Sequence, residues 1–249
     1  MDTPALSVVV PVYNEVDSLA ILWGELVHVL DAIDLSVEVI FVDDGSTDGS
    51  PALLDRIRAG DPRVRLVRLT ANHGLSAAFA AGLGRTRGRI VVTMDSDLQS
   101  DPSDIPALLA SLAGADAACG WRRVRHDPWL KRVSSRVANG VRSRVLDDHF
   151  KDGACSLRAM RRECLEALQP FHGFHRFVPT LLRDAGYQVV EVPVNHRPRR
   201  FGASHYGVRN RVWVAFVDML GVRWLRSRRL CYDAAEDSRA ASAARVART

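Results

Sequence analysis

The sequence predicts an α/β protein with one mostly parallel central sheet flanked by helices. Four apolar runs precede residue 100, at Leu6–Val12, Val37–Val42, Val64–Leu69 and Ile90–Met94. Segments with helical periodicity separate these runs, and polar loops follow the first, second and fourth of them. Strands that alternate with helices in this way form right-handed βαβ units in a doubly wound sheet.

Each predicted element has its own signal. The first, second and fourth runs are almost uninterrupted, as expected for parallel strands buried on both faces. Residues 17–31 repeat apolar side chains at helical spacings, and residues 75–83 predict a helix of small residues. Asp101 is placed to cap the next helix, with Pro102 at its first position.

Length and composition predict one large domain. With 249 residues, 47% of them hydrophobic, the chain can bury a substantial core. We expect a catalytic domain over residues 1–230 and a disordered tail over 231–249. The run Val212–Val222 is apolar apart from Asp218 but shorter than the roughly 20 residues that span a bilayer. It predicts an amphipathic helix over 208–229 that is either buried or interfacial.

The formal net charge of +5 is distributed unevenly. Residues 1–60 contain eleven acidic and two basic residues, whereas residues 195–229 contain nine arginines and one aspartate. Basic clusters suit nucleic acid, anionic membranes or phosphorylated substrates. The four cysteines lack the paired spacing of a metal site and the amino terminus lacks the pattern of a secretion signal, so we expect a cytoplasmic protein.

The most informative segment joins the fourth run to a loop with two carboxylates. Asp95, Asp97 and Gln99 alternate along this segment, so their side chains can project the same way as the strand ends. Such oxygen donors suit Mg²⁺ or Mn²⁺, which leave their other positions to water and substrate phosphates. The alternative is an Asp-rich turn before the Asp101 cap, but that cap uses neither Asp95 nor Asp97.

A second polar loop, residues 43–50, follows the second strand. Asp43 is placed to accept hydrogen bonds from a base or ribose, and Gly45 and Gly49 are expected to supply turn conformations. Ligands of doubly wound sheets bind beyond the carboxyl ends of the strands. The three polar loops therefore predict a site for a nucleoside diphosphate and a metal ion.

These motifs together resemble glycosyltransferase family 2, and within it the polyprenyl-phosphate glycosyltransferases typified by dolichol-phosphate mannosyltransferase. The resemblance covers roughly residues 5–210 and is carried by motifs in a fixed order. The matching segments are Val10-Pro11-Val12-Tyr13-Asn14-Glu15, Val42-Asp43-Asp44-Gly45-Ser46-Thr47-Asp48-Gly49-Ser50, Asn72-x-Gly74, Met94-Asp95-Ser96-Asp97-Leu98-Gln99, Gly120-Trp121-Arg122, His175-Arg176-Phe177 and Arg200-Phe201-Gly202-Ala203-Ser204-His205-Tyr206.

The resemblance implies a Rossmann-like GT-A fold and the inverting transfer of a mannose- or glucose-like hexose from a nucleoside-diphosphate sugar to a polyprenyl phosphate. It implies nucleotide-sugar contacts from Pro11, Tyr13, Glu15, Asp43, Asp44, Asp95, Ser204 and His205. It implies that Mg²⁺ or Mn²⁺ is held by Asp95, Asp97 and Gln99. It implies acceptor-phosphate contacts from Arg122, Lys131, Arg132, Ser135, Arg136 and Asp152. The residues expected to act in catalysis are Asp97, Arg122 and Arg200.

A phosphate acceptor needs no general base, because its second pKa near 6 leaves it largely anionic at neutral pH. We expect polyprenyl phosphate to attack the anomeric carbon in line while the metal and Arg200 stabilise the departing nucleoside diphosphate. Two roles stay open for Asp152. It would either orient the phosphate or metal, or cap the segment that follows.

The chain departs from the family pattern at two places. His205 stands where lysine is usual, so it is either a weak, pH-sensitive phosphate contact or a packed loop histidine. Many relatives continue into transmembrane helices that this chain lacks. We therefore expect a peripheral protein at the inner face of the cell membrane, docked through the helix near Val212–Leu225, with room for a separate membrane-anchoring partner.

Three other functions are weighed against this one. A family 2 enzyme of cell-envelope polysaccharide synthesis would use a saccharide hydroxyl, but Leu220-Gly221-Val222-Arg223-Trp224 lacks the glutamine of the Gln-x-x-Arg-Trp motif of processive relatives. A nucleotidyltransferase would need a Gly-rich triphosphate loop that is not evident. Nucleic-acid binding would explain the arginines but not three acidic loops, which repel a polyanion, so no nucleic-acid partner is expected.

Overall fold

A computed structural model of the chain describes residues 3–123, 140–201 and 208–228, and for residues 208–213 it describes the backbone only. Several predicted site residues lie outside these ranges. They are Lys131, Arg132, Ser135, Arg136, Ser204 and His205. The predicted tail over 231–249 also lies outside them.

Seven strands form one sheet. They are Leu6–Val12 (β1), Val37–Asp43 (β2), Val64–Arg68 (β3), Ile90–Thr93 (β4), Ala117–Arg122 (β5), Arg158–Arg161 (β6) and Val189–Val194 (β7). The helices are Val16–Asp31 (α1), Ser50–Gly60 (α2), Leu75–Leu83 (α3), Ile105–Ser111 (α4), residues 140–146 (α5), Val178–Asp184 (α6) and Val208–Ser227 (α7). Short 3₁₀ turns lie at Pro102–Asp104, Arg162–Ala167 and Phe174–Arg176.

The strand order is β3-β2-β1-β4-β6-β5-β7. β1 pairs in parallel with β2 and β4, and β2 pairs in parallel with β3. β6 is antiparallel to both of its neighbours, and β5 is parallel to β7. Six strands therefore run the same way and one is reversed, which confirms the predicted mostly parallel sheet.

Helices cover both faces of the sheet because the strands alternate between two cores. Leu6, Val8 and Val10 of β1 belong to the core beneath α1, α2 and α4. Val9 points to the opposite core, beneath α3 and α6. This burial on both faces explains the uninterrupted apolar runs of β1, β2 and β4.

The predicted elements before residue 100 are confirmed with small shifts of their ends. β2 extends to Asp43, β3 ends at Arg68, and β4 ends at Thr93, each one residue from the predicted end. The Asp101 cap is also confirmed, since its side chain accepts from Ser103 N at 3.0 Å.

The carboxyl-terminal helix α7 packs along one side and is exposed along another. Met219 and Val222 are buried against Leu146 and Phe177. The structure describes this helix over Val208–Ser227, within the predicted range of 208–229. Within the described residues, no helix combines the length and the apolar character needed to cross a bilayer.

Candidate active site at the carboxyl edge of the sheet

Three polar loops leave the same edge of the sheet. β2, β1 and β4 are adjacent and parallel, and Val12 at the end of β1 pairs with Asp43 at the end of β2. Met94 N donates to Val9 O, so β4 ends beside β1. The predicted convergence of these loops is therefore present in the structure, at the place where doubly wound sheets bind ligands.

The loop after β2 holds the loop after β1. Asn14 N donates to Ser46 Oγ at 3.0 Å, and Glu15 N donates to Ser50 Oγ at 3.1 Å. Val16 N donates to Asp48 Oδ2 at 3.1 Å. Because the amides of Glu15 and Val16 lie at the start of helix α1 and have no acceptor inside it, the second loop supplies their acceptors. The loops after β1 and β2 are therefore joined by hydrogen bonds into one unit.

The predicted turn role of the glycines is correct for Gly45 and wrong for Gly49. Gly45 has φ +70°, and a Cβ there would lie 2.5 Å from the backbone carbon of Ala71. Gly49 has φ −73°, which any residue adopts. Its small size matters instead for packing, since a Cβ would lie 3.0 Å from Val16 Cγ2.

Asp43 and Asp44 are both buried but have different partners. Asp43 Oδ1 accepts from Ser46 N at 2.9 Å. The two oxygens of Asp44 accept from His73 N and Gly74 N, at 2.8 and 2.9 Å. Asp44 thus fixes the loop that opens helix α3, and its predicted contact with the nucleotide stays a prediction.

Asp95 lies two residues beyond the end of β4, and one of its carboxylate oxygens is enclosed. Its Oδ1 is buried and accepts no hydrogen bond. Burial and then the charge of Asp97 raise the pKa of Asp95 to about 6, offset in part by the neighbouring Ser156 hydroxyl and by the charges of Arg158 and Arg122. An enclosed, unpaired carboxylate oxygen beside a second carboxylate fits a cation.

Asp97 and Gln99 complete the predicted donor set. Asp97 Oδ1 accepts from Gln99 N at 3.1 Å, and Leu98 between them has φ +62°, so the segment turns tightly there. Among the residues that the structure describes, no three His, Cys, Asp or Glu side chains form a metal cage. Two carboxylates and an amide would leave positions for diphosphate oxygens, as Mg²⁺ and Mn²⁺ sites commonly do.

The segment after β7 lies along this edge of the sheet and is held there by a backbone hydrogen bond and by ion pairs. Arg197 N donates to Gln99 O at 3.0 Å, and its guanidinium pairs with Glu25 and Asp101, each at 2.7 Å. Arg199 Nη2 lies 2.8 Å from Glu15 Oε1. Burial raises the pKa of Glu15, and the hydrogen bond from Ser18 and the charge of Arg199 offset only part of this rise. Sequence reasoning missed both arginines, because nothing in a run of basic residues shows which carboxylates they reach.

Arg122 and Asp152 form a bidentate ion pair. Arg122 Nε and Nη2 donate to Asp152 Oδ2 and Oδ1 at 2.6 and 2.9 Å. The Asp152 side chain is 7% exposed and that of Arg122 is 20% exposed. Asp152 therefore binds Arg122, and this contact tests neither of its two predicted roles, which were to orient the phosphate or metal and to cap the following segment.

The other predicted residues are placed as follows. Pro11 is buried and Tyr13 is half-buried at the end of β1. Arg200 is exposed and makes no hydrogen bond or ion pair with any residue in the described ranges. Its predicted contact with the donor diphosphate is untested by this geometry.

Two further features beside the site were not predicted. Arg158, the first residue of β6, is 3% exposed. Ser76 Oγ lies 2.9 Å from His175 Nδ1 and accepts from Gly173 N at 2.8 Å. The sequence gives only a weak indication that Arg158 is buried. It lies between the apolar residues Leu157 and Ala159, in a strand whose two faces are both covered.

Comparison with known proteins identifies relatives that match most of this chain. The chain matches Glycosyl transferase family 2 over residues 7–169. It is 37% identical over 205 residues to the undecaprenyl-phosphate 4-deoxy-4-formamido-L-arabinose transferase of Edwardsiella ictaluri, covering 82% of this chain and 63% of that protein. The enzyme of the same name from Aeromonas hydrophila is 35% identical over 209 residues, covering 83% and 64%. The chain thus spans less than two thirds of the length of these relatives.

Solved structures share the fold. Glucosyl-3-phosphoglycerate synthase from Mycobacterium tuberculosis, with Mn²⁺, UDP and glucosyl-3-phosphoglycerate, aligns with a TM-score of 0.65 at 22% identity, covering 88% of this chain and 80% of that chain. A mannosyltransferase from Pyrobaculum calidifontis, with GDP-Man and Mn²⁺, aligns with a TM-score of 0.59 at 23% identity, covering 94% and 67%. These likenesses confirm the predicted GT-A fold. The family match and the relatives above 30% identity show that the chain belongs to glycosyl transferase family 2.

Proposed function

We propose that this protein transfers a sugar, in a metal-dependent reaction, from a nucleoside-diphosphate sugar to a polyprenyl phosphate, with inversion at the anomeric carbon. The observation that carries the proposal is the pair Asp95 and Asp97 at the carboxyl edge of the sheet, with one enclosed oxygen of Asp95 unpaired. The names of the two relatives, which are transferases to undecaprenyl phosphate, support the acceptor class.

The donor would lie across the loops after β1, β2 and β4. Asp43 at the end of β2 is placed for the nucleoside, and its Oδ1 is held by Ser46 N at 2.9 Å. Asp95, Asp97 and Gln99 would hold Mg²⁺ or Mn²⁺, whose charge would offset that of the departing diphosphate. Two neighbours of known structure were crystallised with Mn²⁺ and a nucleotide, which is consistent with this assignment.

The acceptor phosphate would enter on the side of Arg122. Asp152 fixes the Arg122 guanidinium through two hydrogen bonds, so its remaining donors are held in a constant direction. Because the acceptor is already anionic, no described residue needs to remove a proton from it. A phosphate oxygen attacks the anomeric carbon from the side opposite the diphosphate, which gives inversion. Arg200, at the exposed edge, is proposed to contact the leaving diphosphate.

A membrane surface is the proposed location of the acceptor. α7 exposes apolar side chains along one side, at Val214, Val217, Leu220 and Trp224, with Trp224 60% exposed. Exposed aromatic and aliphatic side chains on an amphipathic helix favour the headgroup region of a bilayer. We propose that the protein works peripherally at the inner face of the membrane.

A screen of donors tests the proposal. UDP-sugars and GDP-sugars, a hexose and a 4-amino-pentose derivative among them, are incubated with undecaprenyl phosphate and Mn²⁺, and the released nucleoside diphosphate is measured. Release should depend on both the metal ion and the phosphate of the acceptor. Equal release with undecaprenol, which lacks the phosphate, would contradict the proposed acceptor chemistry. Release that requires a saccharide instead would support the polysaccharide alternative.

A further inference from the structure

Arg158 is a buried cation without an ion-pair partner in the described part of the chain. Its side chain is 3% exposed, and its Nη2 donates to the carbonyls of Gly153 and His175 at 2.9 and 2.8 Å. Its Nε is buried and has no hydrogen-bond partner. Carbonyl groups satisfy some donors of a guanidinium but do not neutralise its charge, and an uncompensated buried charge is costly.

The sheet register places Arg158 beside the candidate metal ligands. In the sheet register, Arg158 of β6 lies opposite Thr93 of β4 on one side and opposite Cys119 of β5 on the other. Side chains alternate along a strand, so Thr93 and the following Asp95 share the face on which Arg158 lies. The positive charge of Arg158 lowers the pKa of Asp95, which agrees with this proximity.

Arg158 also adjoins the acceptor side. Gly153, whose carbonyl it holds, follows Asp152, and Asp152 pairs with Arg122. Arg158 therefore lies between the candidate metal loop and the candidate acceptor arginine. In the proposed reaction, both phosphate-bearing substrates and the two aspartates meet here.

Apart from Arg200, which is exposed, the other described arginines of the site already have carboxylate partners. Arg122 pairs with Asp152, Arg197 with Glu25 and Asp101, and Arg199 with Glu15. Arg158 differs because it is buried and none of the described carboxylates forms an ion pair with it, although its charge interacts with the neighbouring Asp95. A buried cation of this kind is preorganised for an anion.

We propose that Arg158 binds a phosphate oxygen at the reaction centre, from the donor diphosphate or from the acceptor phosphate. The inference rests on the proposed function and adds a binding residue to it. Arg158 also fastens the Gly153 and His175 loops, so a purely structural role must be separated from phosphate binding. The two roles predict different changes in the Kd of Mn²⁺ when Arg158 is replaced.

The separating measurement is the binding of Mn²⁺ alone. A fixed positive charge near Asp95 repels a cation and attracts phosphate, so Arg158→Met should leave the Kd of Mn²⁺ unchanged or lower it. The same variant should raise the Kd of at least one phosphate ligand roughly tenfold or more, the loss expected for a charged hydrogen bond. A structural residue would weaken Mn²⁺ and phosphate binding together.

The experiment uses the full chain and three probes. Free Mn²⁺ is followed by electron paramagnetic resonance, and the binding of UDP or GDP with Mn²⁺ and of farnesyl phosphate is followed by calorimetry. A raised Kd for the nucleotide alone assigns Arg158 to the donor, and a raised Kd for farnesyl phosphate alone assigns it to the acceptor. Arg162→Met serves as the control, because Arg162 is an exposed arginine near the opposite end of the same strand.

Two outcomes overturn the inference. One is parallel weakening of Mn²⁺ and phosphate binding, and the other is unchanged binding of both phosphate ligands. Should Arg158→Met fail to fold, Arg158→Lys gives the same contrast with a smaller loss of phosphate affinity, because the charge remains. Failure of the wild-type protein to bind either nucleotide with Mn²⁺ would refute the proposed function, and the inference with it.

Discussion

Asp95 occupies a position that disfavours its own charge. Its Oδ1 is enclosed without a hydrogen bond, and burial together with Asp97 raises its pKa to about 6. The folded protein therefore holds this proton more tightly than the unfolded chain does between pH values of about 4 and 6. The stability that Asp95 contributes is present below this window and is lost as the pH rises through it.

Replacing Asp95 should therefore stabilise the metal-free protein. Asp95→Asn removes the buried charge, so we expect Tm at pH 7.5 to rise by roughly 2–6 °C, with little change at pH 4.5. Added Mn²⁺ should raise the Tm of the wild type but not that of the variant. Differential scanning calorimetry at both pH values measures this.

Asp34→Asn is the control for this substitution, because Asp34 is exposed. It should leave Tm and the response to Mn²⁺ unchanged at both pH values. A lower Tm for metal-free Asp95→Asn at pH 7.5 would mean that Asp95 is a structural hydrogen-bond acceptor rather than a site for a cation.

The Arg122–Asp152 pair should contribute more to stability than an exposed pair. Asp152→Ala leaves the mostly buried Arg122 guanidinium without its partner, and we expect a loss of about 2–4 kcal/mol in the free energy of unfolding. Asp55→Ala is matched to it, since Asp55 pairs with Arg58 and Arg68 but is 45% exposed. It should cost less than about 1 kcal/mol. Equal losses in urea unfolding would contradict this reading.

At the scale of single residues, the sequence predicted which residues lie at the candidate site better than it predicted which residues they contact. Asp43 is the last residue of β2, and Asp95 and Asp97 follow β4, so their shared edge could be derived from strand order and alternation. The pairing of Asp152 with Arg122, 30 residues away, depends on β5 and β6 lying side by side. Gly49 was given the wrong role because its packing against Val16 is set by tertiary structure.

At the scale of elements, the segment after β7 joins the candidate metal loop to helix α1. Arg197 contacts Glu25 of α1 and Asp101 of the metal loop, and its amide holds Gln99 O. Ser100 and His196 form an isolated antiparallel bridge at the same place. The position of Gln99 therefore depends on a segment nearly one hundred residues away in the chain.

Removing the ion pairs of Arg197 should affect the candidate metal loop, residues 97–101, more than the rest of the protein. Arg197→Met should raise amide hydrogen exchange in residues 97–101 and raise KM for the donor about threefold to tenfold, because the loop loses its charged contacts. Arg63→Met is the matched control. Arg63 also pairs with two carboxylates at 2.7 Å and is 28% exposed, against 29% for Arg197.

Both variants should lose similar amounts of stability, since their ion pairs are alike in length and exposure. Only Arg197→Met should change exchange in the metal loop and KM. Similar changes in Arg63→Met would show that the effect comes from general destabilisation.

Some side chains of helix α7 contact the rest of the protein, and others are exposed to solvent. Arg223 and Arg226 donate to the carbonyls of Val145 and Leu146, at the carboxyl end of α5. Cations at that end of a helix are stabilising. These two arginines therefore serve packing, and the proposed docking falls to the exposed apolar side chains.

Docking through α7 predicts a loss of liposome binding on substitution. Leu220→Ser combined with Trp224→Ser removes two exposed apolar side chains, and binding to anionic liposomes should fall roughly tenfold or more. Leu35→Ser is the control, because Leu35 is 39% exposed on another surface. Co-sedimentation that is unchanged in the double variant would remove α7 from the proposed membrane contact.

The elements themselves were predictable in part. The first four strands and their helices follow from apolar periodicity, because each run is long and bounded by polar loops. The reversed strand β6 was not predicted, since Arg158–Arg161 is four residues long and two of them are arginines. Its place between β4 and β5 is a consequence of tertiary pairing, and it brings Arg158 to the candidate site.

At the scale of the whole molecule, opposite charges meet at one edge of the sheet. The acidic loops come from the amino-terminal half and suit a metal ion, while the arginines come from later elements and suit phosphate. Several of these arginines are committed to carboxylates and carbonyls within the fold. The sequence showed an acidic amino-terminal segment and a basic later segment, but only the strand order shows that their side chains meet at one edge of the sheet.

The formation of a lipid-linked sugar tests the central claim most directly. A nucleoside-diphosphate sugar with a labelled sugar is incubated with undecaprenyl phosphate and Mn²⁺, and the label that enters the solvent-extracted lipid is measured. We predict acceptor-dependent transfer that is lost with a chelator and in Asp97→Asn. Label that stays in the aqueous phase with every donor, or transfer that persists in Asp97→Asn, would contradict the account.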